Sequence, residues 1–378
     1  MTKVVLVRCE SYAPNEVSAA VRRGIDLLGG IQQFVKPDEK ILLKPNLLFG
    51  DDPKKCINTH PSVFTAVAEQ FLSAGSRVTC GDHPGYGSVA IALRKTGIAA
   101  AAEKLNLEVA DFNNGKNIEI NNPIIQSSFT VANGALEADG IVSLPKLKTH
   151  GLERITGAVK NQFGCIPGLM KPVFHIQYPD ARDFGKMLLD LNHFLSPRLY
   201  IMDGIQGMEG NGPRGGSPIQ MNVLLFATDP IALDATFCRI IDLDPEIIPT
   251  ITFGYENGLG TYKEDEIDLA GDDLQSFINR DFKIDRGQIH AFRGQGPFSF
   301  LTNLRVPKPY IQEDTCVRCG ICIEACPAQP KALSWSDAGK KEPPAYNYRN
   351  CIRCYCCQEM CPESAIHLRK PLFAKKRS

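Results

Sequence analysis

Nine of the 14 cysteines in this chain lie between Cys316 and Cys361. Cys316, Cys319, Cys322 and Cys326, followed by Pro327, form a C-x2-C-x2-C-x3-C-P run. Cys351, Cys354, Cys357 and Cys361, followed by Pro362, repeat it. Thiolates at this spacing are soft ligands that gather a thiophilic metal. Zinc sites usually use C-x2-C pairs without a third and fourth cysteine in this register, so the duplicated run weighs against a zinc knuckle. Cys356 falls outside the pattern and reads as a buried or spare thiol beside it. The other five cysteines are scattered, and Cys165 among them reads as structural.

A second group of residues could bind anions or move protons. Lys44, Lys146, Lys148 and Lys160 are expected at strand ends or helix starts, accompanied by the amides of Asn46 and Asn161. Ammonium groups and amides so placed bind carboxylate or phosphate. The alternative is that these lysines are solvated or paired with acids such as Asp82 and Asp139. His60, His83 and His150 could donate protons or ligate metal, although a lone histidine is more often structural. His175 and His193 have weaker cases, the latter on a predicted helix. A glycine-rich stretch from Asp203-Gly204 to Gly215-Gly216 could cradle an anion on backbone N–H groups or be a plain surface loop. Asp229 could cap the helix that follows it. No P-loop, Rossmann fingerprint, nucleophile elbow or zinc-protease helix is present.

The elements that must position these residues alternate between strand and helix. Val4–Val7 reads as a short strand, and Val17, Ala20, Val21, Ile25 and Leu28 share one helical face that closes at Gly29-Gly30. Ile41–Leu43 is a buried-strand run ending in Lys44-Pro45-Asn46. Pro61 opens a helix that stops at Gly75. Further strands are expected at 77–80, 140–144, 198–202 and 223–227, with helices near 182–194 and 230–241. The pattern predicts an α/β domain, a mainly parallel sheet covered by helices, with ligands at the C-terminal strand ends. The expected boundary lies at 300/301, within a linker or strap over 292–310. Lys375-Lys376-Arg377-Ser378 reads as a solvated tail.

Length and composition agree with two domains and an ordinary core: 378 residues, 43% hydrophobic and 22% charged. The 42 basic and 42 acidic residues cancel, so there is no whole-molecule attraction to nucleic acid. The balance hides an asymmetry: residues 305–378 hold 13 Lys+Arg and 7 Asp+Glu, or +6, leaving −6 elsewhere. Opposite charge is expected to help the two parts dock. The N-terminus has no secretory pattern and no stretch approaches ~18 apolar residues, so a cytoplasmic protein without a membrane span is expected.

The two cysteine runs resemble bacterial two-cluster ferredoxins. That resemblance implies two [4Fe–4S] clusters in a C-terminal α+β domain at 301–378, with the fourth cysteine of each run serving the other cube. One cluster would take Cys316, Cys319, Cys322 and Cys361, the other Cys351, Cys354, Cys357 and Cys326. Residues 328–350, longer than a minimal ferredoxin needs, are expected to pack over one cluster or against the larger domain. In residues 1–300, Pro145-Lys146-Leu147-Lys148-Thr149-His150, Thr156-Gly157-Ala158 through Lys160-Asn161, and Asp229-Pro230 with Asp234 resemble the family of the domain of unknown function DUF362. Its members often carry such a ferredoxin domain. The resemblance implies a fold, with a remote likeness to lactate racemase, and a site, but no reaction.

The leading expectation is an iron–sulfur oxidoreductase. It would relay low-potential electrons from a ferredoxin or reductase to an acidic small molecule held by Lys44, Asn46, Lys146, Lys148, Lys160 and Asn161. His150 or His83 would supply a proton. The alternatives are a carrier whose α/β domain only docks a redox partner, and a maturation factor.

Overall fold

The computed structural model describes residues 1–168, 170–290 and 304–369. Its centre is a ten-stranded mixed sheet. Eight strands run in the order Ile267–Gly271, Thr2–Arg8, Ser217–Ala227, Leu199–Glu209, Gly140–Leu144, Lys40–Pro45, Arg77–Cys80 and Glu108–Val109. Pairing is parallel from Leu199–Glu209 to Glu108–Val109 and antiparallel where Ser217–Ala227 meets its two neighbours. Val4, Val5, Leu6 and Val7 are all sealed from solvent. Successive strand residues point to opposite faces, so both faces are covered. Helices Pro14–Leu27, Pro61–Ser73 and Pro230–Ile240 each start with proline at the first helical position, where its missing N–H costs nothing.

Two expected boundaries shift. The strand predicted at 198–202 runs on to Glu209, and its partner begins at Ser217 rather than 223. The first half of the expected glycine loop is therefore strand. Its glycines make room for a neighbour: a Cβ at Gly204 or Gly207 would lie 2.9 or 2.7 Å from the Leu147 side chain. After Leu144 the chain passes Pro145 and continues as Lys146–His150 along the far half of Leu199–Glu209. Lys40–Pro45 instead turns away at Asn46. The two motif-bearing strands thus diverge at the C-terminal edge of the sheet, where ligands bind in such folds.

The cysteine-rich segment is stapled by two small antiparallel pairs, Lys308–Ile311 with Ile366–Arg369 and Leu333–Ser334 with Ala345–Tyr346. Residues 328–350 lie over the cysteines rather than over the larger domain: Ala332, Leu333 and Tyr346 line one cysteine cavity and Pro344 the other. The expected boundary at 300/301, most of the 292–310 strap and the basic tail fall outside the described residues.

The rest of the glycine loop, weighed as an anion cradle or a plain surface loop, docks this segment. Asn211 donates to the Ile366 carbonyl (2.9 Å), Gln358 Nε2 donates to the Gly212 carbonyl (3.0 Å), and Arg214 donates to the Met360 carbonyl (3.1 Å). Tyr355 inserts into the main core. Across the join Glu359, in the basic segment, faces His150, in the acidic domain, at 2.9 Å. Among the described residues no helix is long and apolar enough to cross a membrane.

Candidate functional site

The two cysteine runs share a backbone conformation. Arg318 and Arg353, each two residues after the first cysteine of its run, are left-handed (φ 59° and 60°), as are Gly320 and Tyr355 after the second cysteine (φ 79° and 62°). These turns draw the sulfurs to one side. Cys316, Cys319, Cys322 and Cys361 line one small cavity, partly open to solvent, and Cys326, Cys351, Cys354 and Cys357 line another. The grouping crosses between the runs, the fourth cysteine of each joining the other's first three. Among the described residues no three His, Cys, Asp or Glu side chains converge as they would on one metal ion. A four-iron cube does not require that, because each thiolate sits on a different iron.

Donors already point at these sulfurs. Ala332 N–H lies 3.3 Å from Cys326 Sγ, Ala365 N–H 3.2 Å from Cys361 Sγ, and the Tyr346 hydroxyl 3.2 Å from Cys357 Sγ. Such bonds stabilise negative charge on a thiolate. Cys356 is buried and hydrogen-bonded to the Cys354 sulfur, a spare thiol beside a candidate ligand. The all-sulfur donor set, the crossed quartets and the N–H···S bonds fit iron–sulfur clusters.

In the α/β domain three of the four candidate lysines, Lys44, Lys146 and Lys148, are interior. Lys44 Nζ sits 2.8 Å from Asp82 Oδ1, and Lys146 Nζ 2.8 Å from Asp203 Oδ2, with all four side chains almost fully buried. The paired alternative therefore holds for these two, Lys44 with Asp82 as weighed and Lys146 with an acid not foreseen. Asp139 instead accepts a backbone N–H from Lys40. Lys148 is equally buried but among the described residues has no carboxylate partner: it donates to Asn46 Oδ1 (2.6 Å) and the Ile57 carbonyl (2.7 Å). Burial, then the charge of Lys160, pushes its pKa well below the ordinary lysine range. Asn46 Nδ2 donates to Asn161 Oδ1 (3.1 Å), and Asn161 Nδ2 to Ser143 Oγ (2.9 Å), so both amides brace the diverging strands.

Lys160 is placed by a distant acid. Asp234 accepts the N–H groups of Ala158 and Val159 (2.6 and 3.2 Å), capping the short helix Ala158–Asn161. Gly157 is required there, since a Cβ would lie 2.1 Å from Asp234 Oδ1. Asp229 caps its own helix, as expected. Lys160 is only partly buried, and among the described residues it has no ion-pair partner; its Nζ lies 5.8 Å from the Phe163 ring centre.

Both candidate catalytic histidines have their ring nitrogens engaged. His150 Nδ1 accepts the N–H groups of Leu152 (3.0 Å) and Glu153 (3.2 Å). The ring proton must then sit on Nε2, which faces Glu359 Oε1 at 2.9 Å. Burial, then Lys160, brings His150 down to about 4. Burial pushes Glu359 up, but His150 and Lys160 outweigh it and hold the carboxyl at about 2. A neutral imidazole thus bridges to a carboxylate between Cys357 and Cys361. His83 Nδ1 lies 2.7 Å from the Pro84 carbonyl, and its Nε2 accepts from Gly168 N–H (3.1 Å). His60 caps Pro61–Ser73 and stacks on Tyr12 (3.6 Å), a structural role, and His193 is exposed on its helix.

The group sequence reasoning missed is Glu153. It is 1% exposed, neither carboxyl oxygen has a hydrogen-bond partner among the described residues, and burial pushes it up to about 8 despite Lys160. Its only sequence signal is an acid in the short turn between the two family elements. An acid with a raised folded pKa holds its proton while the unfolded chain has lost it, so stability falls as pH rises from the unfolded carboxylate range to about 8. Glu153→Gln is therefore expected to stabilise the domain by an amount on the order of 3 kcal/mol at pH 8, and by little at pH 4. Urea melts of both proteins at the two pH values check this; an equal effect at both would show that Glu153 is ionised in the fold.

Comparison with known proteins bears on both parts. A family model described as a domain of unknown function, DUF362, matches residues 41–239, and one described as a 4Fe-4S dicluster domain matches 308–362. The thylakoid-associated protein sll1697 of Synechocystis is 37% identical over 258 residues, covering 68% of this chain and 79% of that protein. Among solved structures, the lactate racemase apoprotein from Thermoanaerobacterium thermosaccharolyticum matches with a TM-score of 0.39 and 14% identity, over 62% of this chain and 56% of that one. A Thermotoga maritima protein matches with a TM-score of 0.36 and 10% identity, over 57% and 56%. The chain spans little more than half the length of either solved structure.

Proposed function

Since the chain belongs to the DUF362 family and carries a 4Fe-4S dicluster domain behind it, we propose an electron relay built into one polypeptide. Two [4Fe–4S] clusters would be held by Cys316, Cys319, Cys322 and Cys361, and by Cys351, Cys354, Cys357 and Cys326. When bound they supply one-electron transfer at low potential. The relay would serve an acidic small molecule in the α/β domain, which makes this an oxidoreductase. One observation carries the reading: Glu359, two residues from Cys357 and two from Cys361, touches His150 at the end of the lysine-bearing strand. The cysteine segment and the polar interior of the α/β domain share a wall.

Exposure supports a direction of delivery. In the first quartet Cys319 is exposed and Cys316 partly so, whereas in the second only Cys351 is partly exposed. Electrons from a ferredoxin or reductase would arrive at the first quartet and leave from the second. A reducing compartment such as the cytoplasm suits nine clustered thiols. Lys44 and Lys146 serve as neutralised structural charges in this reading, leaving Lys148 and Lys160 to meet the substrate. A second reading, a carrier whose α/β domain only docks, draws on the complete burial of Lys44, Lys146 and Lys148.

Anaerobic reconstitution is expected to yield about eight irons and eight labile sulfides per chain. Dithionite-reduced protein mixed with a panel of small carboxylates is then expected to reoxidise with one of them, followed by the loss of the reduced-cluster EPR signal. Clusters at full content that no carboxylate reoxidises would favour the carrier, and zinc in place of iron would remove both readings.

A further inference from the structure

Three groups at the wall between the two parts have polar atoms or charge left over. Glu153 has two carboxyl oxygens without partners, and His175 Nδ1 is buried without one. His175 is otherwise fixed, stacked on Phe184 at 4.4 Å. Lys160, unpaired among the described residues, acts electrostatically on Glu153, on His175 and on His150. The carboxyl of Glu153 reaches the helix Ala181–Leu195 at a glycine: a Cβ on Gly185 would lie 3.5 Å from Oε2 and 3.0 Å from Pro249.

We propose that Glu153, Lys160 and His175 form the receptor for a small organic monocarboxylate, with Lys160 supplying the charge and the other two the hydrogen bonds. The inference rests on the reading that the α/β domain takes an acidic small molecule, and it names the class and the residues. A carboxyl beside an ammonium ordinarily ionises and cancels it. Here burial wins, Asp180 adds repulsion, and Glu153 stands at about 8. At neutral pH it keeps an O–H to donate and leaves the Lys160 charge for an outside anion. The charged and titratable groups facing it are Lys160 from the short helix, Asp180 at the cap of Ala181–Leu195, His150, which accepts its N–H, and His175 beyond them.

The sign follows from these charges. Above about pH 8 Glu153 ionises, claims Lys160 and repels the ligand, so affinity falls about tenfold per pH unit; below that it is flat. Calorimetry on the cluster-loaded full chain with acetate and propionate, between pH 6.5 and 9.5, reads this out. Saturable binding is expected, lost about tenfold or more in Lys160→Met, and in Glu153→Gln weakened near neutral pH by the poorer amide donor, with the alkaline fall removed. Binding unchanged by Lys160→Met, an alkaline fall that persists in Glu153→Gln, or absence of carboxylate binding would each overturn the assignment. The assay requires no electron flow. Carboxylate binding by a protein whose clusters never discharge would remove the relay and leave this receptor, whereas substrate-driven reoxidation that survives Lys160→Met would do the reverse.

Discussion

Stripping the iron with a chelator is expected to unfold residues 308–369 while the α/β domain stays folded. The buried clusters of that segment are small and built largely from the candidate ligands. One gathers Cys322, Leu333, Cys357, Cys361, Ala365 and Ile366, and the other Cys326, Ala328 and Ala332. Its two sheets have two strands each. A segment this short, with so little hydrocarbon, draws its folding energy from its ligand bonds, as small metal domains do. The larger domain has a continuous core of its own, to which the cysteine segment adds Tyr355 and part of Leu368. Hydrogen exchange before and after chelation separates the two. Full exchange across 308–369 is expected, with protection retained in Lys40–Pro45 and Gly140–Leu144. Protection that persists in both parts would mean packing alone holds the segment, and the metal account of its fold would fail.

The second large effect belongs to the interior ion pair. Asp82→Ala is expected to cost about 3–5 kcal/mol, because it strands the Lys44 ammonium where water does not reach. The surroundings offer little relief. Gly164 packs so closely that a Cβ there would lie 1.7 Å from Asp82 Oδ1 and 2.8 Å from Lys44 Nζ. Asp82 Oδ2 also accepts the Leu47 N–H at 2.8 Å, which the variant leaves without an acceptor. Asp82→Asn keeps an acceptor for Leu47 while removing the charge, so it is expected to fall between the two. Urea and thermal melts followed by far-UV circular dichroism give the comparison, with a drop in Tm of roughly 10 °C for the alanine variant in the thermal melt. A loss under about 1 kcal/mol would show that Lys44 discards its proton or finds another acceptor.

The residues differ in how far they could be read in advance. The cysteine runs were legible because ligand spacing is local: C-x2-C-x2-C places three sulfurs on one turn whatever the rest of the chain does. Val17, Ala20, Val21 and Ile25 were legible for the same kind of reason, a helical period within one element, and all four are buried. The glycines at 204 and 207 misled because glycine marks both a loop and a close approach, and here the approach is to Leu147. Nothing in the sequence around His150 and His83 shows what reaches their rings: backbone N–H groups and the Glu359 carboxylate for His150, the Pro84 carbonyl and the Gly168 N–H for His83. Glu153 carried no signal, since an unpaired acid is recognised only by what fails to reach it.

By itself the order of residues determined the metal chemistry of residues 316–361, the alternation of strand and helix, and the set of basic residues near the strand ends. Only the tertiary structure decided which of those basic residues remain available. Lys44 meets Asp82, and Lys146 meets Asp203, 57 residues away, while Lys148 and Lys160 find no acid among the described residues. It also brought Glu359 onto His150, joining the two parts at one polar wall. The physical reason is that ligand spacing and periodicity are properties of neighbouring residues. Charge neutralisation and desolvation depend on which distant groups the fold brings within a few ångströms.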